Sequence, residues 1–300
     1  MKNFVLIGAA GYIAPRHMKA IKETGNNLLA ALDSHDSVGV LDSYFPEAHF
    51  FTEFERFDRH CEKLRRNGTP IHYVSVCSPN YLHDAHIRFG LRIGADVICE
   101  KPVVLNPWNV DALLEIEKET EHKVYTILQL RLHPAILALK EKIQHDPVDK
   151  KYSVDLKYIT PRGQWYHHSW KGDIQKSGGI ATNIGLHFFD MLLWIFGDVE
   201  ESRVNEHTTT EASGQLMVKK ATINWKLNID TTNFSAGTEN NKENIFRSLN
   251  IDGENVDFSN GFDNLHTLSY GQILTGMGIG LQETKKAIQL VHTIRNFRPL

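Results

Sequence analysis

The sequence FVLIGAAG at residues 4–11 places a short apolar run directly before a turn that contains two glycines. The run predicts a buried β-strand, and the pattern after the turn predicts a helix from about residue 14 to residue 24. Gly8 and Gly11 permit a tight turn, and the N-terminus of the following helix is suited to bind a diphosphate. Ala10 stands where a strict dinucleotide-binding motif has another glycine, so an ordinary strand, turn and helix is the alternative interpretation.

An acidic residue after the next apolar run supports dinucleotide binding. Residues 28–32 predict a second strand, and Asp33 follows it. A carboxylate at this point accepts hydrogen bonds from ribose hydroxyls and repels a 2′-phosphate. Because no arginine follows to bind such a phosphate, the sequence predicts NAD rather than NADP as the cofactor. The alternative is that Asp33 only caps a turn, and Asp36 is then the other candidate for the ribose contact. We also expect Tyr12 and Ile13 to contact the cofactor.

The first part of the chain alternates apolar strands with helices. Such alternation predicts βαβ units and a parallel sheet, whose strands are buried on both faces. The further predicted elements are strands at 72–77, 96–99 and 124–128, a helix from about 82 to 93 and a helix after Pro107.

Small and polar residues follow the third predicted strand. Cys77, Ser78, Asn80 and His83 are predicted to line the cofactor there. Asn80 as the N-cap of the following helix is the alternative. Cys77 is not expected to act as a nucleophile, because no base is evident nearby and buried cysteines are usually inert.

The pattern changes after about residue 150. Residues 153–159 and 221–227 alternate polar and apolar side chains, which is typical of antiparallel strands with one solvated face. We predict a Rossmann-type α/β domain over 1–125 and an α+β domain over 126–300 with an open-faced, mainly antiparallel sheet. The other elements predicted in the second part are a helix over 180–196, a polar loop over 236–243 and a last helix over 281–296 that can return to the first domain.

Composition excludes several classes of protein. The 300 residues carry a formal net charge of −3, which gives no basic surface for nucleic acid. The 3 cysteines have no metal-type spacing and the 16 histidines form no HExxH pair, so no metal site is expected. No segment approaches a membrane span, and the N-terminal apolar run is too short for a signal peptide. We expect a soluble protein of the reducing cytoplasm.

A cationic residue follows the fourth predicted strand, in the sequence Glu100-Lys101-Pro102. Lys101 is expected at the carboxyl end of a parallel strand, where α/β sheets bind ligands. Pro102 biases the backbone of Lys101 towards an extended conformation. We predict that Lys101 is catalytic and contacts both cofactor and substrate, and that Glu100 also lies at the cofactor. A surface lysine after a strand is the alternative.

A second segment, residues 178–190, supplies an imidazole. Asn183 and His187 are four residues apart, so they share one face of the predicted helix. Asp190 lies three residues beyond His187 and is predicted to orient it. We predict that His187 is the catalytic base that removes a hydroxyl proton and that it contacts the substrate. The alternative is a core histidine in a helix that begins with glycine.

Aromatic and cationic residues supply further candidates. The run at 165–170 is rich in aromatic residues, which suit a sugar ring or a base and equally suit a packed sheet corner. We predict Trp165 at the cofactor and Tyr166 at the substrate. Arg131 follows the fifth predicted strand, where a guanidinium can bind a carboxylate or a diphosphate of the substrate. A surface ion pair is the alternative for Arg131.

Together these motifs resemble the Gfo/Idh/MocA oxidoreductases over essentially the whole chain. The resemblance implies an NAD(P)-binding Rossmann domain and a C-terminal open-faced sheet that often mediates dimers and tetramers. It also implies sugar or polyol substrates, and we expect a homo-oligomer. The segments that carry the resemblance are 8–14, 78–83, 100–102, 131–134, 178–187 and 270–274.

Within the family, residues 8–17 and 169–173 resemble the UDP-N-acetylglucosaminuronate 3-dehydrogenases of the WlbA/WbpB type. This resemblance implies NAD-dependent oxidation of the C3 hydroxyl of a UDP-sugar uronate, in the biosynthesis of 2,3-diacetamido uronic acids of lipopolysaccharide O-antigen. Some members re-oxidise bound NADH with 2-oxoglutarate. Many family members carry an aspartate four residues before the catalytic histidine. Asn183 cannot take a proton, so it is expected to bind the substrate and to leave the acid–base chemistry to Lys101 and His187.

Two other functions remain open at this point. An NAD-dependent dehydrogenase of another sugar, polyol or sugar nucleotide would use the same residue types. A non-catalytic NAD-binding sensor is the second alternative. The presence of both Lys101 and His187 argues against a sensor, because a sensor does not need to keep the pair.

Overall fold

The described chain forms two compact units. The computed structural model describes residues 1–230, 245–258 and 260–297, and the loop predicted over 236–243 lies outside them. We predicted one division after residue 125 and a last helix that can return to the first domain. Residues 263–285 join the first unit, and they include only the start of that last helix. The units are Met1–Gln129 with Asp263–Lys285, and Leu130–Phe262 with Lys286–Leu300.

The first unit contains a parallel sheet, as the sequence predicted. Its strands are β1 Asn3–Ile7, β2 Asn27–Leu32, β3 His49–Phe51, β4 Tyr73–Val76, β5 Asp96–Cys99 and β6 Val124–Thr126. They lie in the order β3-β2-β1-β4-β5-β6, and each neighbouring pair runs parallel. Chain order reverses beside β1, since β2 pairs with one edge of that strand and β4 with the other. The residues of β4 are all buried, as expected of a strand covered on both faces.

Helices follow most of these strands. The predicted helices at 14–24, 82–93 and 281–296 and the one after Pro107 are confirmed. The α-helices of the described chain are α1 Ala14–Glu23, α2 Val40–Tyr44, α3 Phe54–Arg66, α4 His83–Arg92, α5 Pro107–Thr120, α6 Pro134–His145, α7 Gln164–His168, α8 Ile174–Ser177, α9 Leu186–Phe196, α10 Leu265–Leu274 and α11 Leu281–Arg295.

The core of the first unit joins β1 to a helix from the far end of the sequence. Phe4 and Leu6 of β1 belong to one buried cluster with Met18 of α1 and with Tyr270 and Ile273 of α10. Helices α1 and α10 pack against each other. This packing brings residues after position 263 to the nucleotide-type half of the fold.

The second unit contains a mixed sheet. Its strands are β7 Tyr152–Ile159, β8 Val199–His207, β9 Glu211–Val218, β10 Ala221–Asn228, β11 Phe246–Ile251 and β12 Glu254–Asn255. Their order is β12-β11-β7-β10-β9-β8. The prediction of a mainly antiparallel sheet is confirmed, and one neighbouring pair, β7 and β10, runs parallel. Each is antiparallel to its other neighbour, and both alternate buried and exposed residues as predicted. Alternation of polar and apolar residues shows which face of a strand is exposed to solvent. The relative direction of two paired strands depends instead on how the chain connects them.

The helix predicted over 180–196 has two parts. Ala181–Gly185 is a π-helical segment, and α9 continues it to the glycine at 197. The expectation that no segment approaches a membrane span is wrong by length and composition, since 174–196 is long and apolar enough to cross one. However, 78% of its most apolar window is buried within the protein, as in the core helix of a soluble domain.

Candidate active site

The candidate residues of the first unit gather at one edge of its sheet. Gly8 directly follows β1 and Asp33 directly follows β2. Ser78 and Lys101 each lie two residues after the ends of β4 and β5. The carboxyl ends of parallel strands meet at this edge. Open α/β sheets bind ligands there, at the point where strand order reverses. That point lies between β1 and β4.

The glycine turn is fixed by its backbone geometry. Gly8 has φ of +94°, and a Cβ at this position would lie 2.5 Å from the carbonyl carbon of Cys77. Its N–H donates to the carbonyl of Leu32 at 2.8 Å. Gly11 donates to the carbonyl of Gly8, which closes the turn before α1. No side chain caps the N-terminus of α1, so the turn presents backbone rather than side chains there.

Asp33 binds the glycine turn directly. Its Oδ2 accepts the N–H of Ala10 at 2.9 Å, and its Oδ1 accepts the N–H of His35 at 2.9 Å. The turn-capping alternative is therefore correct as a description of its local bonds. A carboxylate offers about four acceptor sites, so these two bonds leave capacity for ribose hydroxyls. In contrast, Tyr12 is 88% exposed, and Ile13 packs against the core cluster.

His83 has a different setting from the one predicted. Its side chain is fully buried, and its two ring nitrogens lie 2.7 Å from the carbonyl oxygens of Ser78 and Pro102. Direct contact with a cofactor is incompatible with this burial, so the ring instead ties the end of β4 to the segment after β5. Asn80 begins a short 3-10 turn, and Leu82 occupies the N-cap position of α4. Burial raises the pKa of Cys77 well above its ordinary value, which keeps the thiol protonated.

Glu100 is the centre of a buried polar network that no sequence motif predicted. Its Oε1 lies 3.0 Å from Nε2 of His17 and 3.0 Å from Nε2 of His266, and its Oε2 accepts the backbone N–H of Lys101 at 3.2 Å. The network continues from Nδ1 of His17 to the hydroxyl of Tyr270, at 2.7 Å. From that hydroxyl it reaches Oγ of Ser75, also at 2.7 Å. We call the side chains of His17, Ser75, Glu100, His266 and Tyr270 the Glu100 network.

The network holds Glu100 as an anion. Burial opposes ionisation, but the hydrogen bonds from His17 and His266 outweigh it and hold the pKa of Glu100 well below its ordinary value. Burial lowers the pKa of His17, which stays neutral.

By residue type, His17, Glu100 and His266 also form a group that could hold a metal ion, with ligand atoms within 4.8 Å of one another.

The second unit brings two of the predicted substrate residues together. Asn183 donates from Nδ2 to the hydroxyl of Tyr166 at 2.8 Å, across 17 residues of sequence. Both side chains are buried, and burial raises the pKa of Tyr166. His187 stands one helical turn after Asn183 and is partly exposed. Trp165 is 56% exposed.

A lysine absent from the predicted site lies beside these aromatic residues. Nζ of Lys171 is 4.4 Å from the ring centroid of Trp170 and 5.9 Å from that of Trp165. Burial lowers the pKa of Lys171, and the charge of Arg162 lowers it further. Arg162 precedes the aromatic run in the sequence and Lys171 follows it, but no periodicity identifies the two cations as neighbours.

Arg131 is engaged in an internal ion pair. Its Nε donates to Oδ2 of Asp190 at 2.8 Å, and its Nη2 donates to Oδ1 at 2.7 Å. Both side chains are more than nine-tenths buried. The pair is therefore neither the surface ion pair weighed for Arg131 nor an open guanidinium. The predicted hydrogen bond between Asp190 and His187 would have to compete with this bidentate bond to Arg131.

Family models match both parts of the chain. The NAD-binding Rossmann-fold model of the oxidoreductase family matches residues 2–127, and the C-terminal alpha/beta domain model of that family matches residues 140–228. The chain belongs to the Gfo/Idh/MocA oxidoreductase family. The parallel sheet with its glycine turn is thus the NAD-binding domain of this family, as the sequence predicted.

A solved structure resembles this family member along its whole length. It is the WlbA (WbpB) dehydrogenase from Thermus thermophilus, seen in complex with NAD and alpha-ketoglutarate and in complex with NAD and UDP-GlcNAcA. It is 46% identical to this chain, with TM-scores of 0.96 and 0.95 in the two complexes, over 100% of this chain and 96% of that one.

Curated relatives are more distant. The oxidoreductase YteT of Bacillus subtilis is 30% identical over 67% of this chain and 48% of its own length. The inositol 2-dehydrogenase of Rhizobium meliloti is 24% identical over 73% of this chain and 60% of its own length. The chain therefore spans about half to three-fifths of these two relatives.

The residues present fit NAD. Gly8 and Gly11 carry no side chain in the turn before α1, and no described side chain caps the start of that helix. Asp33 already lies on that turn with acceptor capacity for a ribose. A carboxylate there disfavours a 2′-phosphate, which agrees with NAD over NADP.

Proposed function

We propose that this protein is an NAD-dependent dehydrogenase that oxidises the C3 hydroxyl of UDP-2-acetamido-2-deoxy-D-glucuronate to the 3-keto sugar. The observation that carries the proposal is the likeness, over 100% of this chain, to a dehydrogenase solved with NAD and UDP-GlcNAcA. The presence of Lys101 and His187 in the motifs typical of the family supports a catalytic rather than a sensing role.

In this proposal, Lys101 hydrogen-bonds the reacting oxygen and stabilises the negative charge that develops on it. His187 accepts the hydroxyl proton as general base. Bound NAD supplies the acceptor for the hydride that leaves the sugar carbon. Asn183 and Tyr166, already hydrogen-bonded to each other, bind hydroxyl or acetamido groups of the sugar.

We further propose that 2-oxoglutarate re-oxidises NADH on the protein, because the Thermus thermophilus relative was solved with NAD and alpha-ketoglutarate. The product then serves the biosynthesis of diacetamido uronic acids for O-antigen. A cytoplasmic location is consistent with 3 buried cysteines that form no disulfide. The family resemblance supports a homo-oligomer, a dimer or a tetramer.

The test mixes purified protein with UDP-N-acetylglucosaminuronic acid and NAD, with and without 2-oxoglutarate. NADH absorbance and the mass of the sugar nucleotide are followed together. A product lighter by two hydrogens supports the proposal, and turnover that depends on 2-oxoglutarate supports cofactor recycling. An unchanged mass in both mixtures, with NAD binding verified by calorimetry, would contradict the proposed substrate.

The likeness to an inositol 2-dehydrogenase supports one other candidate, a dehydrogenase of free polyols or sugars. The two candidates differ in their need for UDP. Turnover of free inositol or glucose at rates above those with the UDP-sugar would favour the second candidate. Tight NAD binding with no turnover of any of these compounds would favour a sensor.

A further inference from the structure

The Glu100 network connects three separate parts of the first unit to the backbone of Lys101. His17 comes from α1 and His266 from α10, 166 residues from Glu100. Both imidazoles reach the same carboxylate oxygen at 3.0 Å, while the other oxygen accepts the N–H of Lys101. One oxygen of the carboxylate therefore binds histidines from two helices, and the other binds the backbone N–H of Lys101.

One arrangement of protons satisfies the hydrogen bonds of this network. Burial raises the pKa of Tyr270 well above its ordinary value, so its hydroxyl keeps its proton and can donate to Nδ1 of neutral His17. Nε2 of His17 then carries the proton that is donated to Glu100. The hydroxyl of Ser75 donates to the oxygen of Tyr270. Every bond then runs in one direction towards the anion.

A metal ion explains the same residues less well. Both Nε2 atoms and Oε1 are already joined by hydrogen bonds of ordinary length. A histidine that ligates a metal almost always donates its other ring N–H to an acceptor. Nδ1 of His266 is buried and has no hydrogen-bond partner among the described residues.

We propose that His17 and His266 are positioning residues for Lys101, which act through the carboxylate of Glu100. The proposal rests on the catalytic role proposed for Lys101. Two donors from different helices leave Glu100 one orientation, and this orientation fixes the peptide that carries the lysine. The buried negative charge, one residue away, also favours the ammonium form of Lys101.

Other titratable groups also face Glu100. They are Cys77 after β4, His83 on α4, Cys99 on β5 and Tyr270 on α10. Burial raises the pKa of both thiols and of the phenol, so these groups stay neutral at physiological pH. Among these groups, Glu100 is therefore the one held as an anion.

The first test measures Lys101 without substrate or turnover. Apo protein is labelled with acetic anhydride over a range of pH, and the extent of labelling at Lys101 is read by peptide mass spectrometry. In Glu100→Gln the labelling profile should move to lower pH by about 1 unit, because loss of the nearby anion disfavours the charged amine. His17→Leu and His266→Leu should broaden or shift the profile in the same direction.

The second test separates positioning from simple loss of stability. His17→Leu should lower kcat by about 10- to 100-fold with little change in KM, since a small displacement of a catalytic group is costly. His17→Gln keeps a donor near the position of Nε2 and should regain most of the loss. The control is His72, whose Nδ1 accepts the N–H of Asn3 at the opposite, amino edge of the sheet. His72→Leu should lower the melting temperature without altering the kcat–pH profile.

The outcomes are distinct. Unchanged labelling and pH profiles in Glu100→Gln and His17→Leu would overturn the proposal and leave the network a structural role. Stoichiometric metal in the purified protein, absent from His17→Leu, would overturn it in favour of a metal site. If the wild-type protein turns over no UDP-sugar, the proposed function fails, but the labelling of Lys101 still decides the role of the network.

Discussion

Two side chains carry the proton chemistry of the proposed reaction, and their removal is the most direct test at the scale of single residues. Lys101→Ala and His187→Ala should each lower kcat by about 10²-fold or more, because acid–base catalysis contributes about 10²–10⁴-fold. The rates are followed by NADH absorbance with the UDP-sugar. His145, exposed at the end of α6, supplies the control His145→Ala, which should keep full activity. A decrease in kcat of less than about tenfold in either active-site variant would contradict the catalytic role proposed for that residue.

Asp33 is expected to select NAD. Asp33→Asn removes the charge that disfavours a 2′-phosphate but keeps an acceptor for the N–H of Ala10. We expect weaker NAD binding and a smaller preference for NAD over NADP, measured as two dissociation constants by calorimetry. Asp36→Asn is the matched control, because Asp36 is the other acidic residue that closely follows β2. An effect of Asp36→Asn alone would reassign the ribose contact.

Arg131 and Asp190 should contribute to stability as a unit. Breaking a buried ion pair by removing one partner costs about 3–5 kcal/mol, whereas removing both is far less costly. We expect Arg131→Met to be strongly destabilising in urea unfolding and Arg131→Met/Asp190→Leu to recover much of the loss. The solvent-exposed pair Lys150–Asp146 gives the comparison, because its removal should cost far less stability. Unaltered stability with a raised KM in Arg131→Met would instead support the substrate contact predicted from the sequence.

At the scale of elements, the turn between β1 and α1 requires glycine at position 8. Gly8→Ala meets both a positive φ and a Cβ contact of 2.5 Å with backbone. Gly25 has φ of +73°, and a Cβ added there would meet nothing within 4 Å, so Gly25→Ala reports the cost of φ alone, about 1–2 kcal/mol. We expect Gly8→Ala to lose clearly more stability than Gly25→Ala, together with NAD affinity. Equal losses of stability in the two variants, measured by urea unfolding, would show that the backbone around Gly8 moves to accommodate the added Cβ.

The elements that could be identified from the sequence are those with a strong local pattern. β1, β5 and β10 are apolar or alternating runs bounded by glycine, proline or polar residues, and their positions follow from the sequence alone. β8 has no such signal, because its nine residues are mostly exposed and lack alternation. The parallel pairing of β7 with β10 also has no local signal, since it depends on the path of the chain between them.

The candidate site divides in the same way. Gly8, Asp33 and Lys101 follow predicted strands, so topology alone places them on one edge. The contacts of Glu100 with His17 and His266 span 83 and 166 residues, and no spacing rule relates such positions. Asp190 is likewise close to His187 in sequence, which suggested that pairing, whereas the guanidinium that it binds is 59 residues away.

At the scale of the whole molecule, histidines that are fully or partly buried link stability to pH. Burial is the main cause that lowers the pKa of each, and they occur in both units. In His86 burial lowers the pKa to about 4. The histidines with lowered pKa are His17, His60, His72, His83, His86, His207 and His292.

The direction of the pH dependence follows from proton counting. Below about pH 6.5, unfolded chains protonate these histidines while the folded protein resists, so the unfolded state binds more protons and the free energy of unfolding falls with falling pH. Glu100, whose folded pKa is held well below its ordinary value, adds a further loss below about pH 4.3. We expect the urea midpoint to be highest near neutral pH and to decrease steadily between about pH 6.5 and 4. His86→Gln should flatten this slope, because it removes a group that protonates only on unfolding, whereas the exposed His35→Gln should not. A midpoint that is constant or rises as the pH is lowered would show that these histidines are charged in the folded protein.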